Sequence, residues 1–431
     1  MASKNRKLIP NIFTLIFDQN LKRMKVKPKA AKETPKTKVC APKRERIVKE
    51  INNYVLNHCP GVSPDEVPST SKCLSSTLPD KLICINKSTA GKIASAILEN
   101  ISSGTLKDMP ILDISPGLGL LSKKLLDLGA NKLRLYESRP KINAMLQTLA
   151  KNHKTKVQVF QQDLYNLGKT LFLDKIPGST LMDDAMQGIE FKQPPEISFT
   201  VVGVCSNYSF LHLMPHTICY DLGFPHYGAT EYFLVVHPYN YLKLTSVPGG
   251  NYLHYRYHTV AYQIFFNTQV VAKLERKNFL PWEKSWELNA KKSLNQKKLY
   301  CFDEDFLYLL HITPKSTIYE LSSSEKQQLL YFLKFNLMSR RGKIIPALEK
   351  WISNCETRLH KLGIGKNTCC GEISPDKFLA LFQEFISWPE FSHCAFNTSM
   401  HMSFLKSNLQ RIELSPMEEE SLEEEEEEQY Q

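Results

Sequence analysis

The sequence predicts an α/β fold, with a doubly wound, mostly parallel sheet and a smaller C-terminal helical domain. Three observations predict it. Short apolar strands alternate with amphipathic helices from Ile85 onward, a glycine-containing turn follows the first buried strand, and helical patterns alone follow Phe306. Such alternation favours a parallel sheet with helices on both faces. With 431 residues, 42% of them apolar, the chain is long enough for one large core and one smaller core.

The first strands and helices carry clear local signals, within a predicted α/β domain at 46–305 whose N-terminal extension runs to about residue 84. Gly129 stops a helix whose apolar positions repeat every three or four residues. The predicted order is a possible helix near Arg44 to Leu56, a helix at Ser88–Ile101, a strand at Ile111–Ile114, a helix at Leu120–Leu128, a strand at Leu133–Tyr136, a helix at Lys141–Ala150 and a strand at Val157–Phe160.

The alternation of strands and helices is interrupted at 168–196. This stretch is rich in Gly, Pro, Asp and Met, and we interpret it as an insertion. Strands are predicted again at Ile197–Val202, Tyr232–Val236 and Val270–Leu274. Residues 306–410 are predicted to form the helical domain, with helices at Ser324–Ser339 and Ile344–Cys355. A further helix starts at Ser374, an N-cap followed by Pro375, and its apolar face comprises Phe378, Leu379, Leu381, Phe382 and Phe385.

The charge of the chain is unevenly distributed. The formal net charge is +11, yet the last sixteen residues hold nine glutamates and no lysine or arginine, so the rest carries +20. Such an excess favours a polyanionic partner, most simply the phosphates of a nucleic acid, although a generally basic soluble protein is the alternative. The acidic tail, 411–431, is expected to be disordered and solvated, with competition against nucleic acid as the alternative.

The N-terminal 32 residues contain nine Lys or Arg and a single acid, around an apolar stretch from Ile9 to Leu21. This composition is typical of a mitochondrial transit peptide, so 1–45 is predicted as transit peptide and basic linker. The alternative is a basic arm that stays on the protein.

No apolar run reaches the length of a membrane span. Eleven cysteines without a CxxC pair favour a reducing compartment and no metal centre.

Three acids mark a candidate nucleoside site. Asp113 opens the loop Asp-Ile-Ser-Pro-Gly-Leu-Gly after the first buried strand, where Gly117 permits close backbone approach to a ligand. Glu137 follows the second strand, where it is placed to accept ribose hydroxyls, and Asp163 follows the third, where it is placed to accept an adenine amine. A single such acid is commonly a solvated loop end. Three at successive strand ends predict a site.

From about Ile85 to Phe396 the chain resembles the rRNA adenine dimethylases, and within them the mitochondrial transcription factor B branch. The resemblance implies a Rossmann-like methyltransferase whose S-adenosylmethionine pocket is lined by Asp113, Gly117, Glu137 and Asp163. It also implies that the helical domain forms one wall of a nucleic-acid groove. Its motifs are ILDISPGLGLLSKKLLDLGA, LYES, VFQQDL, LPWEKSW, LYLLHITP, FNLMSRRGKIIPAL and ISPDKFLALFQEF.

The chain departs from this family at the catalytic turn. Active dimethylases have Asn-Leu/Ile-Pro-Tyr/Phe there, which holds the extruded adenine. In the register that places Gly203 before the motif, this sequence has Val204, Cys205, Ser206 and Asn207; a shifted register offers Asn207 and Tyr208 without the proline. No catalytic residue is therefore predicted. Ser115 also replaces the usual first glycine of the loop. S-adenosylmethionine is therefore the candidate cofactor, with a vestigial site as the alternative.

The resemblance implies a mitochondrial transcription initiation factor in the matrix nucleoid. Such a protein assists mitochondrial RNA polymerase in promoter melting and holds the opened non-template strand of the promoter DNA. The alternative is a mitochondrial small-subunit rRNA adenine N6,N6-dimethyltransferase, and a third possibility is an RNA-binding assembly factor with neither activity. Mitochondrial rRNA is a further partner under these alternatives.

The predicted nucleic-acid contacts combine basic and aromatic residues, and this combination is typical of proteins that bind single-stranded nucleic acid. For the basic runs the alternative is a solvated surface, and for the tyrosines a half-buried position in a sheet. The candidates are Arg340, Arg341, Lys343, Arg256, Lys291, Lys292, Lys297, Lys298, Tyr252, Tyr255 and Tyr257.

Overall fold

The computed structural model describes residues 41–60, 62–63, 82–174, 176–205, 208–250, 254–280 and 305–410. The chain divides into two compact units. The α/β unit comprises Thr37–Ser246 and Tyr262–Ser323. The described part of the helical unit lies within 247–261 and 324–410, so this unit takes a segment from the middle of the sequence as well as the C-terminal part.

Within the described residues, seven strands of the α/β unit form one sheet in the order β4-β3-β2-β5-β6-β9-β7. The first five of these strands are mutually parallel, and β9 pairs antiparallel with both β6 and β7. The fold class predicted from the sequence is confirmed. The strands are β2 (Ile111–Asp113), β3 (Leu133–Tyr136), β4 (Val157–Phe160), β5 (Phe199–Cys205), β6 (Thr230–Val236), β7 (Phe266–Glu275) and β9 (Phe306–Pro314).

The strand order reverses between β2 and β5. Strands β3 and β4 lie on one side of β2, whereas β5 and β6 lie on the other side. In doubly wound sheets, ligands bind outside the carboxyl ends of the strands at such a reversal. The loop after β2 and the end of β5 therefore occupy the expected ligand position. A separate short pair, β1 (Ile83–Cys84) with β8 (Phe279–Leu280), lies outside this sheet.

The helices of the α/β unit largely confirm the sequence patterns. Asn86 begins α2 by accepting a hydrogen bond from the Thr89 amide at 3.0 Å. The helix predicted near Arg44 to Leu56 is present as α1. The bounds are α1 (Ala41–His58), α2 (Lys87–Asn100), α3 (Leu120–Asp127), α4 (Pro140–Asn152), α5 (Leu167–Leu173), α6 (Leu181–Met186), α7 (Tyr208–Cys219), α8 (Pro238–Leu244), α9 (Tyr257–Phe265), which crosses into the helical unit, and α10 (Thr317–Glu320).

The prediction of helices alone after Phe306 is wrong for the first nine residues. Phe306–Pro314 forms β9, which lies between β6 and β7, and Leu307, Leu309 and Leu310 are fully buried. A strand buried on both faces gives an almost continuous apolar run, which has no period that distinguishes it from a helix. The α/β unit consequently extends to Ser323 instead of ending at 305.

The segment 168–196 is folded against β3. Both carboxylate oxygens of Asp174 accept backbone hydrogen bonds at the start of α6, from Leu181 at 2.6 Å and from Met182 at 2.9 Å. The Tyr136 hydroxyl in turn donates to the Ala185 carbonyl at 2.6 Å. These contacts order the predicted insertion as part of the unit.

The helical unit is held by an aromatic core. The rings of Phe332, Phe385 and Phe396 lie with their centroids 5.4–6.5 Å apart. The predicted N-cap is confirmed, because the Ser374 hydroxyl accepts from the Lys377 amide at 3.3 Å. The helix predicted over Ile344–Cys355 is shorter, ending at Glu349. The helices are α11 (Ser323–Leu337), α12 (Ile344–Glu349), α13 (Glu356–Lys361), α14 (Pro375–Ser387) and α15 (Phe396–Gln410).

The middle segment joins this unit through backbone acceptors. The Tyr255 hydroxyl donates to the Ile373 carbonyl at 2.5 Å, and the Gly249 amide donates to Gly371 at 2.9 Å. Within the described ranges, no helix has the length and apolar character needed to cross a bilayer. The predicted transit peptide and acidic tail lie outside the described residues, apart from 41–45 at the start of α1.

Candidate cofactor pocket and nucleic-acid surface

Asp113 ends β2 and is almost fully buried, with 1% of its surface exposed. Its carboxylate accepts from the Ser115 amide at 3.1 Å and from the Ser122 hydroxyl at 3.4 Å. Burial raises the pKa of Asp113 to about 7, although these two hydrogen bonds oppose the rise. The residue is therefore a buried carboxyl group held mainly by neutral donors.

The loop from Asp113 to Gly119, called here the cofactor loop, requires glycine for packing. Gly117 has a φ of +50°, and a Cβ built on it would lie 3.0 Å from Ile83 Cγ2. Gly119 has a φ of +70°, and its Cβ would lie 3.0 Å from Leu146 Cδ2. Side chains larger than hydrogen are disfavoured in this backbone region. The space beside both glycines is thus occupied by the chain's own apolar side chains.

The cofactor loop also contacts the end of β5. The Ser115 hydroxyl accepts a hydrogen bond from the Val204 amide at 2.6 Å, and both residues are buried. A Cβ on Gly203 would lie 2.7 Å from Ile114 Cγ1, so the Ile114 side chain packs directly against the backbone of β5. The cavity that remains beside Asp113 and Ser115 measures about 20 Å³. That volume suits a single water molecule, and neither Glu137 nor Asp163 lines this cavity.

Glu137 follows β3 and is completely buried. Its Oε1 accepts from the Arg139 amide at 2.8 Å and from Arg139 Nε at 2.9 Å, and its Oε2 accepts from Nη2 of the same guanidinium at 2.7 Å. Asn143 also donates to the Glu137 carbonyl at 3.0 Å. Both carboxylate oxygens are therefore used by one neighbouring arginine.

Asp163 lies beyond the end of β4 and is half-buried. Its carboxylate accepts from the Asn166 amide at 3.3 Å, and its carbonyl accepts from the Thr170 hydroxyl at 3.0 Å. Because β2, β3 and β4 are adjacent and parallel, the three predicted acids follow the same edge of the sheet. The sequence thus predicted their common location, while their binding of S-adenosylmethionine stays a prediction.

These residues do not fit a nucleoside in their present arrangement. Both oxygens of the ribose acceptor Glu137 already accept hydrogen bonds from Arg139, and the cofactor loop is packed against Ile83 and β5. A methyl-donor cofactor would supply an electrophilic methyl group here. The carboxylates that would hold it accept hydrogen bonds from neighbouring residues instead, Asp113 from Ser115 and Glu137 from Arg139.

The degenerate catalytic turn begins inside a strand. β5 continues to Cys205, three residues beyond the predicted end at Val202, and Val204 and Cys205 pair with Val235 and Val236 of β6. Both residues are buried, and burial raises the pKa of the Cys205 thiol above its usual range. Neither presents an acceptor or a ring to a base. Ser206 and Asn207 lie outside the described residues.

A cluster that the sequence reasoning missed lies just beyond this strand. The Lys243 ammonium is 4.8 Å from the ring centroid of Tyr208 and 4.8 Å from that of Tyr239. Tyr208 begins α7, after β5, and α8 carries Tyr239 and Lys243, after β6. A cation between two aromatic faces is attracted by both rings. The HPYNYLK segment directly after an apolar strand was the available signal.

The predicted nucleic-acid residues divide by burial. Arg341 and Lys343 are exposed, whereas Arg340 is only 5% exposed and its carbonyl accepts from the Gly371 amide at 2.7 Å. Tyr255 is 1% exposed, so its ring belongs to the core of the helical unit. Arg340 and Tyr255 are therefore buried and not exposed, and their contact with nucleic acid stays a prediction. Arg256 and Tyr257 are half-buried; Tyr252, Lys291, Lys292, Lys297 and Lys298 lie outside the described residues.

Comparison with known proteins places these features in a family. The family model for ribosomal RNA adenine dimethylase matches residues 83–387, well over half of the chain. Mitochondrial dimethyladenosine transferase 2 of Drosophila melanogaster is 27% identical over 336 residues, which cover 69% of this chain and 74% of that protein.

Solved structures with similarity include the 23S rRNA methyltransferase ErmE, with a TM-score of 0.45 and 17% identity over 70% of this chain and 99% of that one. The tRNA (m1A58) methyltransferase TrmI from Aquifex aeolicus gives a TM-score of 0.26 and 11% identity over 52% of this chain and 68% of that one. On the match of the family model, the chain belongs to the ribosomal RNA adenine dimethylase family of methyltransferases.

Proposed function

We propose that this chain is a mitochondrial transcription initiation factor on a methyltransferase scaffold, which helps mitochondrial RNA polymerase to melt promoters and holds the opened non-template strand. The observation that supports it most is the end of β5. Where the resemblance implies a turn that holds the target adenine, the chain has the buried strand residues Val204 and Cys205.

The loss of this turn opposes methyl transfer for a geometric reason. Transfer requires the acceptor nitrogen to be held in line with the methyl group, and a displacement of about 1 Å costs on the order of 100-fold in rate. A chain that retains the methyltransferase scaffold without this catalytic turn is better suited to binding nucleic acid than to methylating it.

Exposed charge supports a nucleic-acid partner. Arg341 and Lys343 are exposed on the helical unit, next to the end of α11. The chain without its acidic tail carries +20, which favours phosphate binding with strong salt dependence. Aromatic side chains add stacking on unpaired bases, each contributing about 1–3 kcal/mol.

A mitochondrial location, with the matrix nucleoid as the specific site, is part of the proposal. The Drosophila relative is named as mitochondrial, and the first 32 residues have the basic, acid-poor composition of a transit peptide. Import of the radiolabelled chain into isolated mitochondria, followed by protease treatment, tests this part. A chain that stays fully protease-sensitive contradicts it.

The transcription role is tested by run-off synthesis with the cognate polymerase on linear and on pre-melted promoters. We expect stimulation on the linear duplex and a much smaller effect on the pre-melted template, because melting is then already done. Arg341→Ala should weaken the stimulation, whereas Lys361→Ala, an exposed basic control on the same unit, should not. Absence of stimulation on the linear duplex would contradict the proposal.

The alternative is a mitochondrial small-subunit rRNA adenine dimethyltransferase. Family membership and the three acids that follow one edge of the sheet favour it. It requires transfer of label from S-adenosylmethionine to an rRNA hairpin with adjacent adenines, abolished in Asp113→Asn. Robust transfer would replace the transcription proposal with this alternative.

A further inference from the structure

Arg139 occupies a helix position for which arginine is poorly suited. It is the N-cap residue of α4, its side chain makes no capping hydrogen bond, and Pro140 follows at the first helical position. N-caps favour Ser, Thr, Asp or Asn, and the positive end of a helix dipole disfavours a nearby cation. The requirements of α4 therefore do not explain this arginine.

The carboxylate of Glu137 does explain it. The guanidinium binds both carboxylate oxygens through Nε and Nη2 at 2.9 and 2.7 Å, and the Arg139 amide adds a third hydrogen bond at 2.8 Å. Bidentate, charge-assisted pairs of this kind are among the strong hydrogen bonds of proteins. Because the two residues are separated by one position in the chain, the arginine always lies within reach of the carboxylate.

A ribose would need the same two oxygens. A carboxylate after this strand would bind a nucleoside by accepting its two hydroxyl groups, which are neutral donors and weaker than a guanidinium. The nucleoside would first have to displace Arg139, whose side chain is 34% exposed and can turn toward solvent. Displacement would also break a charged pair at a carboxylate that is completely buried.

We infer that Arg139 is the residue that excludes ribose-containing cofactors from this pocket, by satisfying both oxygens of Glu137 from within the chain. The guanidinium takes the place of the ribose diol. The methyltransferase scaffold is thereby kept folded around a carboxylate that needs no ligand. This inference does not rest on the proposed transcription role, since it concerns binding by the chain alone.

The test measures nucleoside binding to the full chain by calorimetry. The ligands are S-adenosylhomocysteine, adenosine and 2′,3′-dideoxyadenosine, and the last of these lacks the hydroxyls that Glu137 would accept. We expect the wild-type chain to bind adenosine and its dideoxy analogue equally weakly. Arg139→Ser, which supplies a favoured N-cap, should gain on the order of tenfold for adenosine and S-adenosylhomocysteine and nothing for the dideoxy analogue.

Two controls assign the effect to the Arg139–Glu137 pair. Lys141→Ser removes a neighbouring exposed cation from the first turn of α4 and should leave binding as in the wild type. Adding Glu137→Gln to Arg139→Ser should cancel the gain for adenosine. Persistence of the gain in that double variant would overturn the inference, as would an equal gain for adenosine and the dideoxy analogue.

Removing the arginine leaves a buried carboxylate without its partner, so stability must be followed as well. In a thermal melt, S-adenosylhomocysteine should stabilise Arg139→Ser and leave the wild type unchanged. If Arg139→Ser does not fold, the same binding measurements are made on Arg139→Lys. A single ammonium cannot make the bidentate pair, so this variant should show an intermediate gain in adenosine affinity. Wild-type binding of S-adenosylhomocysteine as tight as that of the variants, or no gain in either variant, overturns the inference.

Discussion

At the scale of the residue, two buried carboxylates at the same edge of the sheet have opposite surroundings. Asp113 is held by an amide and a hydroxyl, and burial raises its pKa to about 7. Glu137, equally buried, is paired with a guanidinium. The charged form of Asp113 is thus poorly compensated, whereas that of Glu137 accepts three hydrogen bonds from Arg139. We expect Asp113 to make stability depend on pH near neutrality.

We expect Asp113→Asn to remove a pH-dependent loss of stability. The folded-state pKa of about 7 lies above the unfolded value of about 3.9, so the folded state holds the proton more tightly. The stabilisation from the protonated group is complete below the unfolded pKa and is lost as the pH rises through 7. The loss amounts to about 4 kcal/mol at most, as three pKa units.

Urea unfolding of wild type and Asp113→Asn at pH 5 and pH 8 measures this. The difference between the two proteins should favour the variant more at pH 8 than at pH 5. Asparagine retains an acceptor for the Ser115 amide, so the hydrogen bond at that position is preserved. An unchanged difference between pH 5 and pH 8 would show that Asp113 titrates outside this range.

Two consecutive arginines, one exposed and one buried, allow the effects of surface charge and of packing to be compared. Arg341 is exposed and Arg340 is buried. Arg341→Ala should weaken single-stranded DNA binding and reduce the salt slope by about 1, with little change in the melting temperature. Arg340→Ala should lower the melting temperature, because it removes a buried side chain and its packing. Fluorescence anisotropy at several salt concentrations and thermal melts distinguish them, and equal effects of the two changes on the salt slope would refute the assignment.

At the scale of the element, β9 joins two parts of the sheet that would otherwise be separate. It pairs with β6 over Tyr308–Ile312 and with β7 over Phe306–Pro314. Its apolar residues face both sides of the sheet, and Leu309 is fully buried. The parallel strands and β7 therefore depend on β9 for one continuous hydrogen-bond ladder.

Leu309→Ala should lower the free energy of unfolding by about 2–5 kcal/mol, because it removes buried methyl groups and leaves a cavity. Leu309→Ile, which conserves volume, should cost less than about 1.5 kcal/mol. Urea unfolding monitored by circular dichroism measures both. A loss below 1 kcal/mol for the alanine variant would contradict the buried position of β9.

The start of α14 is a second element-level test. The Ser374 hydroxyl accepts from the Lys377 amide, and Ser374→Ala should cost about 1 kcal/mol. Ser374→Asn retains an N-cap acceptor and should be close to neutral. Chemical denaturation followed by tryptophan fluorescence reports on this helix, because Trp388 is its C-cap residue. Equal stability of the alanine and asparagine variants would argue against the cap.

At the scale of the whole molecule, the two units are interleaved in sequence. The helical unit takes Val247–Ala261 from between β6 and β7, and Tyr255 fixes that segment to Ile373. The α/β unit in turn takes β9 from beyond the predicted domain boundary. The domain boundary predicted at residue 305 therefore does not separate the two units.

We expect a chain ending at residue 323 to keep the sheet and a chain ending at 305 to lose it. The longer chain retains β9 between β6 and β7, whereas the shorter one leaves the facing edges of those strands unpaired. Cooperative urea unfolding and protection of amide hydrogens in β6 should be present only in the longer chain. Cooperative folding of the shorter chain would contradict the assigned sheet order.

The sequence by itself determined the elements whose signals are local. Strands β3 and β4 have the bounds predicted from their apolar runs, and the Ser374 cap lies where its residue type predicted it. The alternation of these elements also specified a wound parallel sheet, and the acids Asp113, Glu137 and Asp163 were placed at its carboxyl edge. These properties depend on residues close together in the chain, so a single sequence contains them.

Only the tertiary structure decided which partners these residues have. It assigned Phe306–Pro314 to the sheet, buried Arg340 beside an exposed Arg341, paired Glu137 with Arg139 and closed the cofactor loop onto β5. Strand pairing, burial and the choice of a hydrogen-bond partner depend on neighbours distant in sequence or on side-chain orientation. No local pattern encodes them, which is why the common location of the three acids followed from the sequence and their hydrogen-bond partners did not.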